Sequence, residues 1–396
     1  MKLAMKIKLN PTLDIARTID ASQVAYTSSY NRVLESQFNN QRINRAEIHN
    51  ATYYQEKLFS GLPSQLTCSL INRATETLKS VRKKARESGK LTKQPSAKKP
   101  IPIRYDKNSM TLNLDKKVMT FATLKGRKKL SLDMPEYYQD RLKDLKNVKT
   151  KGGEIRKDKH GKYFLTMFIE CDTEPFDFNS KVVGVDLGIK KPAVTSLNQF
   201  LGKGHWNTVG QRYFEVRRSL QAKGTKSAKR RLRQRSRKEN GFRRDCDHVL
   251  SRRIVDSVET GTVLVLEDLT GIRKKKYGKE FNRKLHTWSF FRLTTYTRYK
   301  AELKGCRVEL IDPRYTSQEC SECHFISKGN RKTQNHFKCK KCGFEIHADL
   351  NASRNMASRY SQTLSQGISL AIGVQAITPD VGTIFTYKPD PLGSGS

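Results

Sequence analysis

Residues 319–350 read ECSECHFISKGNRKTQNHFKCKKCGFEIHADL, and this stretch decides the fold. Cys320, Cys323, Cys339 and Cys342 stand in a C-x2-C-x15-C-x2-C frame, the spacing of a zinc ribbon. Zn2+ favours four soft thiolates in a tetrahedron, and each C-x2-C turn supplies two of them. Gly343 follows the last cysteine and allows the tight turn of the second knuckle. Four thiolates leave no open coordination position, so the zinc reads as structural; a redox or iron–sulfur tetrad is the competing use of the frame. His324 and His336 lie close by and read as bystanders or nucleic-acid contacts. Asp349 follows the tetrad at the start of a helix-like run, LNASRNMASRY.

Working outward, two strand-like runs upstream also end in acids, VVGVD at Asp186 and TVLVLED at Glu267. Both are apolar at every position but the last few, as expected of strands covered on both faces. One acid at a strand end means little. Three acids brought together by neighbouring strands and a helix can hold two Mg2+ ions about 4 Å apart, the arrangement that hydrolyses phosphodiesters. Carboxylates are the natural ligands because hard cations take oxygen. Asp186 is expected to bridge both ions, with Glu267 and Asp349 holding one each; Asp268 points the other way in an extended strand and reads as a structural partner. The pattern points to a metal-dependent enzyme that cuts nucleic acid.

Composition agrees. The 396 residues suffice for two or three domains. They carry 77 Lys and Arg against 38 Asp and Glu, a net charge of +39. Such an excess calls for a polyanionic partner. An anionic membrane is the weaker choice, because no apolar run approaches the length of a membrane span and no signal peptide is visible. The other four cysteines, Cys68, Cys171, Cys246 and Cys306, show no pairing pattern, which fits a reducing cytoplasm. The densest basic run, Arg212–Arg253, carries enough apolar residues for two long helices with basic outer faces. Arg217, Arg218, Lys229, Arg230, Arg231 and Arg233 are its candidate phosphate contacts.

Toward the N-terminus, MKLAMKIKLN alternates like a strand, and Thr12 to about Glu87 turns helical, with a break expected near Ala21. A second helix is expected to begin at Leu62-Pro63-Ser64. Within these helices Gln65, Asn72 and Arg73 are candidates for facing DNA, while Tyr26, Tyr30, Tyr53 and Tyr54 read as core. Residues 91–102 read as an exposed linker. From Ile103 to Glu170, short alternating runs predict a small β-barrel or sandwich closed with the first strand, with a hairpin at His160-Gly161 and one helix over 136–146. Residues 361–396 lose their charge and read as a poorly ordered tail.

Taken together, GVDLGIKKPAVTS (184–196), LVLEDLTGIR (264–273), DPRYTSQECSEC (312–323) and FKCKKCGFEIHADLNASRNMA (337–357) resemble TnpB, the RNA-guided nuclease of insertion sequences, and its descendants, the type V CRISPR effectors. The basic run from Tyr213 to Val255 is similar to that family's helical lid, and AYTSSYNRVLE (25–35) to its first N-terminal helix. The resemblance implies an RNase-H-like RuvC domain at 179–314 and 346–360, with a lid at 212–256 and an inserted zinc ribbon at 315–345. It also implies a wedge barrel at 1–10 and 91–178 with a helical recognition insertion at 11–90. The implied catalytic, magnesium-binding triad is Asp186, Glu267 and Asp349, Mn2+ being a possible substitute, and Arg314 is the implied contact to the scissile phosphate. The implied activity is a guide-RNA-dependent double-stranded DNA endonuclease that reads a short target-adjacent motif and acts as a monomer in a prokaryotic cytoplasm, at the nucleoid. A miniature CRISPR effector, an RNA-guided repressor and a DNA-binding transposase stay open as alternatives. Two departures stand out: His324 follows Cys323 where relatives commonly have glycine, and Asp247 precedes His248 where many have asparagine.

Overall fold

A computed structural model describes residues 1–40, 42–89, 93–274 and 278–366. The described chain divides into two compact units, residues 1–172 and 173–366. Among the described residues no helix is long and apolar enough to cross a membrane.

The first unit runs β1 (Lys2–Leu9), α1 (Leu13–Gln37), α2 (Arg45–Ser60), α3 (Ser64–Ser88), β2 (Ile103–Tyr105), β3 (Met110–Asn113), β4 (Val118–Thr123), β5 (Gly126–Ser131), α4 (Glu136–Lys143), β6 (Lys146–Lys157) and β7 (Tyr163–Asp172). The first strand does close against the late ones: β1 pairs antiparallel with β7 from Lys2 opposite Glu170 to Leu9 opposite Tyr163. The strands form two sheets, β1-β7-β6-β2 and β3-β4-β5, rather than one cylinder of paired strands. The turn Asp106–Ser109, held by the Asp106 carboxylate on the amides of Asn108 and Ser109, separates β2 from β3. The β6–β7 hairpin turns at Gly161, whose φ of 76° suits glycine, with Asp158 accepting the amides of His160 and Lys162.

The break expected near Ala21 is absent. Helix α1 is continuous because the polar residues that blur its stripe satisfy themselves: the hydroxyls of Thr18, Ser22 and Thr27 each bond the carbonyl four residues back, at 2.8, 2.7 and 2.6 Å. Gln23 then donates to the Ile155 carbonyl at 3.1 Å, so buried polarity ties the helix to β6. Helix α2 escaped the sequence reading as a separate element. Its buried stripe is Ile48, Thr52, Glu56 and Ser60, mostly polar, although Asn44 caps its start and Gly61 its end. Tyr26 and Tyr30 are core as expected, whereas Tyr54 is 80% exposed. Arg73 donates to the Pro102 carbonyl at 2.6 Å, which gives it an internal role.

The second unit runs β8 (Val182–Asp186), β9 (Ala193–Thr195), β10 (Gln199–Leu201), α5 (His205–Lys223), α6 (Lys226–Asp256), β11 (Val263–Glu267), α7 (Lys279–Thr287), α8 (Phe290–Leu303), β12 (Arg307–Ile311), β13 (His336–Lys338), β14 (Glu345–His347) and α9 (Ala348–Ser365). Its sheet has the order β10-β9-β8-β11-β12, with β8, β11 and β12 parallel and the β8–β9 and β9–β10 pairs antiparallel. Apolar residues on both faces are explained by what covers them. Val183, Val185, Leu264 and Leu266 pack with Leu250, Ile254 and Val255 of α6 and Leu293 and Ala301 of α8. Val263 and Val265 face Met356 and Tyr360 of α9. Helix α9 sits so close to β8 that a Cβ on Gly184 would collide with the Ser353 carbonyl. The same helix continues to Ser365, so residues 361–365, read from sequence as tail, are helical; 367–396 lie outside the described residues.

Candidate active site and metal centre

Three elements of the second unit deliver the three acids. Asp186 ends β8 and Glu267 ends β11; the parallel register sets Leu266 beside Val185, so the acids are neighbours at the same edge of the sheet. Adjacent strands lie about 4.8 Å apart, within carboxylate reach. Asp349 is the second residue of α9, on the first turn, and is 8% exposed. The glycine at 184 is what lets α9 approach β8 there. Burial pushes the Asp186 carboxyl well above the usual carboxylate range, and Glu267 and then Asp349 add to the rise, with Arg331 opposing it. Burial also raises Glu267, while the Thr316 hydroxyl, Arg331 and Arg359 pull it down. A buried acid held against two others is a site short of positive charge, and the donor set is all oxygen; divalent magnesium fits both features.

Arg331 supplies part of that charge. Its Nη2 lies 3.2 Å from Asp349 Oδ1 and also donates to the Gln334 carbonyl at 2.9 Å. The sequence marked Arg314 instead. Arg314 is 81% exposed in its side chain and 3.7 Å from Asp312; its amide donates to Asp312 Oδ1 at 2.9 Å and its carbonyl accepts Arg359 Nη1 at 2.7 Å. Arg331 carried no signal, being one of two adjacent basic residues in NRKTQ. Thr316 was missed too: its Oγ1 donates to Glu267 Oε1 at 2.7 Å and lies 3.0 Å from the Pro313 carbonyl. Asp268 behaves as read, exposed and accepting the Thr270 amide at 2.9 Å.

The four thiols meet as the spacing predicts. Cys320 Sγ is 3.7 Å from Cys342 Sγ, Cys323 Sγ is 3.6 Å from Cys339 Sγ, and all four lie within 4.8 Å of one another. Tetrahedral Zn–S bonds of about 2.3 Å separate sulfurs by about 3.8 Å, whereas a disulfide needs about 2.05 Å. The tetrad therefore fits zinc. The knuckles are twins: the amides of His324 and Gly343 donate to the carbonyls of Cys320 and Cys339, at 3.0 and 3.1 Å. Both residues have positive φ, 57° and 78°, so His324 occupies a left-handed position that glycine adopts without strain. His324 Nδ1 lies 2.9 Å from Glu319 Oε1, and His336 pairs with Glu345 at 2.5 Å.

Ribbon and acids are joined by α9. Asn351, Asn355 and Arg359, one turn apart each, reach the loop that enters the ribbon: Asn351 Nδ2 donates to the Glu319 carbonyl at 2.7 Å, Asn355 Nδ2 to the Thr316 carbonyl at 2.9 Å, and Arg359 Nε to Glu319 Oε2 at 2.9 Å. Elsewhere, α5 and α6 form the expected basic pair. Arg218, Lys229, Arg230, Arg231 and Arg233 are exposed, but Arg217 is tied to buried Glu239 at 3.3 Å, which Arg243 also holds. Asp247 is buried against Arg292 and Ser289, both at 2.6 Å, so this departure is answered by an ion pair within the unit. Burial, reinforced by Lys300 and nearby arginines, pushes His248 down to about 3; its ring stacks on Tyr296 at 4.0 Å.

Residues 290–356, from α8 through the ribbon to α9, match the family model of the Cas12f1-like TNB domain. A CRISPR-associated endodeoxyribonuclease Cas12f1 of Sulfoacidibacillus thermotolerans is 31% identical over 270 residues, 62% of this chain and 60% of its own length, so the chain spans less than two thirds of that relative. A TnpB-like protein of Aquifex aeolicus is 31% identical over 33% of this chain and 45% of its own length. Among solved structures, a Cas12f1–sgRNA–target DNA complex aligns over 87% of this chain and 83% of the solved one, with a TM-score of 0.62 at 17% identity, a likeness of fold. A family model on the ribbon and its flanking helices, two partly covered relatives and a shared fold agree: the chain is similar to TnpB-like and Cas12f proteins.

Proposed function

We propose that the chain is an RNA-guided DNA endonuclease: it binds a guide RNA, recognises a short motif beside the target, and cleaves both DNA strands at one acidic site. In this reading the five-stranded sheet with its helices is an RNase-H-like RuvC domain, residues 315–345 are its zinc ribbon, and the strands of the first unit form a wedge around a helical recognition insertion. The observation that carries the reading is geometric: Asp186 and Glu267 end neighbouring parallel strands in register, and Asp349 stands on the first turn of the helix packed on them. Magnesium, when bound, supplies activation of water and stabilisation of the leaving oxygen. Asp186, Glu267 and Asp349 are the residues to hold it, and Cys320, Cys323, Cys339 and Cys342 the residues to hold structural zinc. Arg331 adds positive charge where a phosphate would lie. Its planar guanidinium suits a phosphate oxygen better than an ammonium does. Exposed cations of α5 and α6 contact backbone phosphates without reading sequence, which is left to base pairing with the guide.

The name of the relative from Sulfoacidibacillus thermotolerans keeps a second guide source in play, a CRISPR array rather than the element's own transcript. The test is expression with flanking genomic DNA, sequencing of the copurified RNA, and cleavage of a randomised-flank plasmid library with and without Mg2+. Asp186→Ala and Glu267→Ala are expected to abolish cutting and to keep the RNA. Cutting by either variant would refute the acidic site; absence of any specific RNA would refute guidance.

A further inference from the structure

Thr316 is 2% exposed and sits in the loop that enters the ribbon, four residues before Cys320. Its hydroxyl has one proton and two acceptors in reach, the Glu267 carboxylate at 2.7 Å and the Pro313 carbonyl at 3.0 Å. The carboxylate oxygen is the nearer acceptor, so the proton goes there. The Thr316 carbonyl is itself held by Asn355, which also donates to the Glu319 carbonyl at 2.7 Å. Glu319 adjoins Cys320 in sequence and takes Arg359 on its carboxylate. A continuous set of buried contacts thus runs from the thiolate tetrad to one oxygen of Glu267, and that oxygen cannot turn freely.

Resting on the nuclease reading above, we propose that Thr316 is a positioning residue that fixes Glu267 for divalent-ion binding, making the zinc ribbon a working part of the acidic site. A carboxylate with one oxygen committed to a buried hydroxyl presents the other in a set direction, and an ion meeting it loses less freedom. Groups that orient metal ligands from behind typically change affinity by about 10–100-fold when removed. Threonine suits the task because valine copies its shape without the donor, and serine keeps the donor without the methyl.

The experiment uses the full chain with its copurified RNA, Mn2+ as the probe ion read by electron paramagnetic resonance, zinc by elemental analysis, and thermal melting. Thr316→Val is expected to keep zinc stoichiometry and melting near wild type while weakening the Mn2+ binding that Asp186→Ala removes, by about tenfold or more. Thr316→Ser is expected to stay within about twofold of wild type. Wild-type Mn2+ affinity in Thr316→Val, or an equal loss in Thr316→Ser, overturns the proposal. Should Thr316→Val also melt early or shed zinc, the Glu267→Gln background decides. The proposal requires that Thr316→Val then costs no further Mn2+ affinity, and an undiminished cost overturns it. If Asp186→Ala removes no Mn2+ binding at all, the acids are not a metal site; the nuclease reading itself has failed, and this proposal with it.

Discussion

Gly184→Ala is the smallest change that separates the geometry of the acidic site from its chemistry. The added methyl carbon would collide with the Ser353 carbonyl oxygen and lie 2.9 Å from the Ala357 nitrogen and 3.0 Å from the Ser353 carbonyl carbon. All three are backbone atoms in the middle of α9, so no side chain can swing away. Either α9 lifts from β8 or β8 bends. Forced overpacking typically costs about 1–3 kcal/mol, and a clash with helix backbone belongs at the upper end. For a unit of this size that corresponds to a melting shift of roughly 5–10 °C. Asp349 rides on the first turn of α9, one turn before Ser353, so the lift moves it relative to Asp186 and Glu267. A displacement near 1 Å can reduce catalysis by about a hundredfold. The assay is a melting scan together with Mg2+-dependent cleavage well below the variant's melting point, with guide-RNA binding as the control for integrity. The expected result is a folded, RNA-binding protein whose cutting falls far more than its unfolded fraction explains. A variant that melts and cuts like wild type would mean that α9 does not set the position of Asp349.

Asp186→Asn tests the electrostatics. The folded carboxyl titrates above its unfolded value, so the stability it contributes is complete below the unfolded pKa of about 3.9 and is lost as pH rises through the raised folded value. At neutral pH without Mg2+ the buried carboxyl is a net cost relative to the unfolded chain, and Asn should melt higher than wild type. Added Mg2+ should narrow that gap by stabilising only the wild type, and a wild type that melts higher in Mg2+-free buffer would contradict the charge argument. Cys320→Ser should lose zinc and solubility, and with them cleavage, because a structural ligand set contributes folding free energy directly; a soluble, zinc-free, fully active variant would count against the ribbon's role. His324→Gly should raise stability by about 0.5–1 kcal/mol, because it relieves a left-handed residue worth about 1–2 kcal/mol and gives up a half-exposed contact to Glu319. Unchanged or lower melting with zinc retained would show the histidine contact to be the larger effect.

What the sequence revealed divides along physical lines. The positions of Asp186, Glu267 and the four cysteines were legible because each sits on a local pattern: a doubly covered strand that stops at an acid, or a knuckle of fixed spacing. Most strands of the first unit were legible through alternation of period two, though β2 and the start of β6 were not. Helix α2 was not, because Thr52, Glu56 and Ser60 occupy its buried face and leave no apolar period to detect. The break in α1 was misjudged because hydroxyls that bond back along the helix look, in sequence, like an interruption.

The same division explains why the three acids stood out in the sequence as candidates and the residues beside them did not. Asp186 and Glu267 each end an apolar strand, and that placement leaves a trace in the pattern around them. Thr316 and Arg331 act across 49 and 18 residues of sequence, on Glu267 and Asp349, through side chains that any loop can carry. Their places are set by the ribbon's fold, which the tetrad fixes, and by Asn351, Asn355 and Arg359, which recur every fourth residue along α9. That spacing of three polar residues was visible in LNASRNMASRY but read only as helix. A polar stripe at helical spacing, on the helix that also carries a candidate metal ligand, signals a buried partner that is itself polar. Here that partner is the loop leading into the ribbon, whose Thr316 reaches back to Glu267 on the sheet.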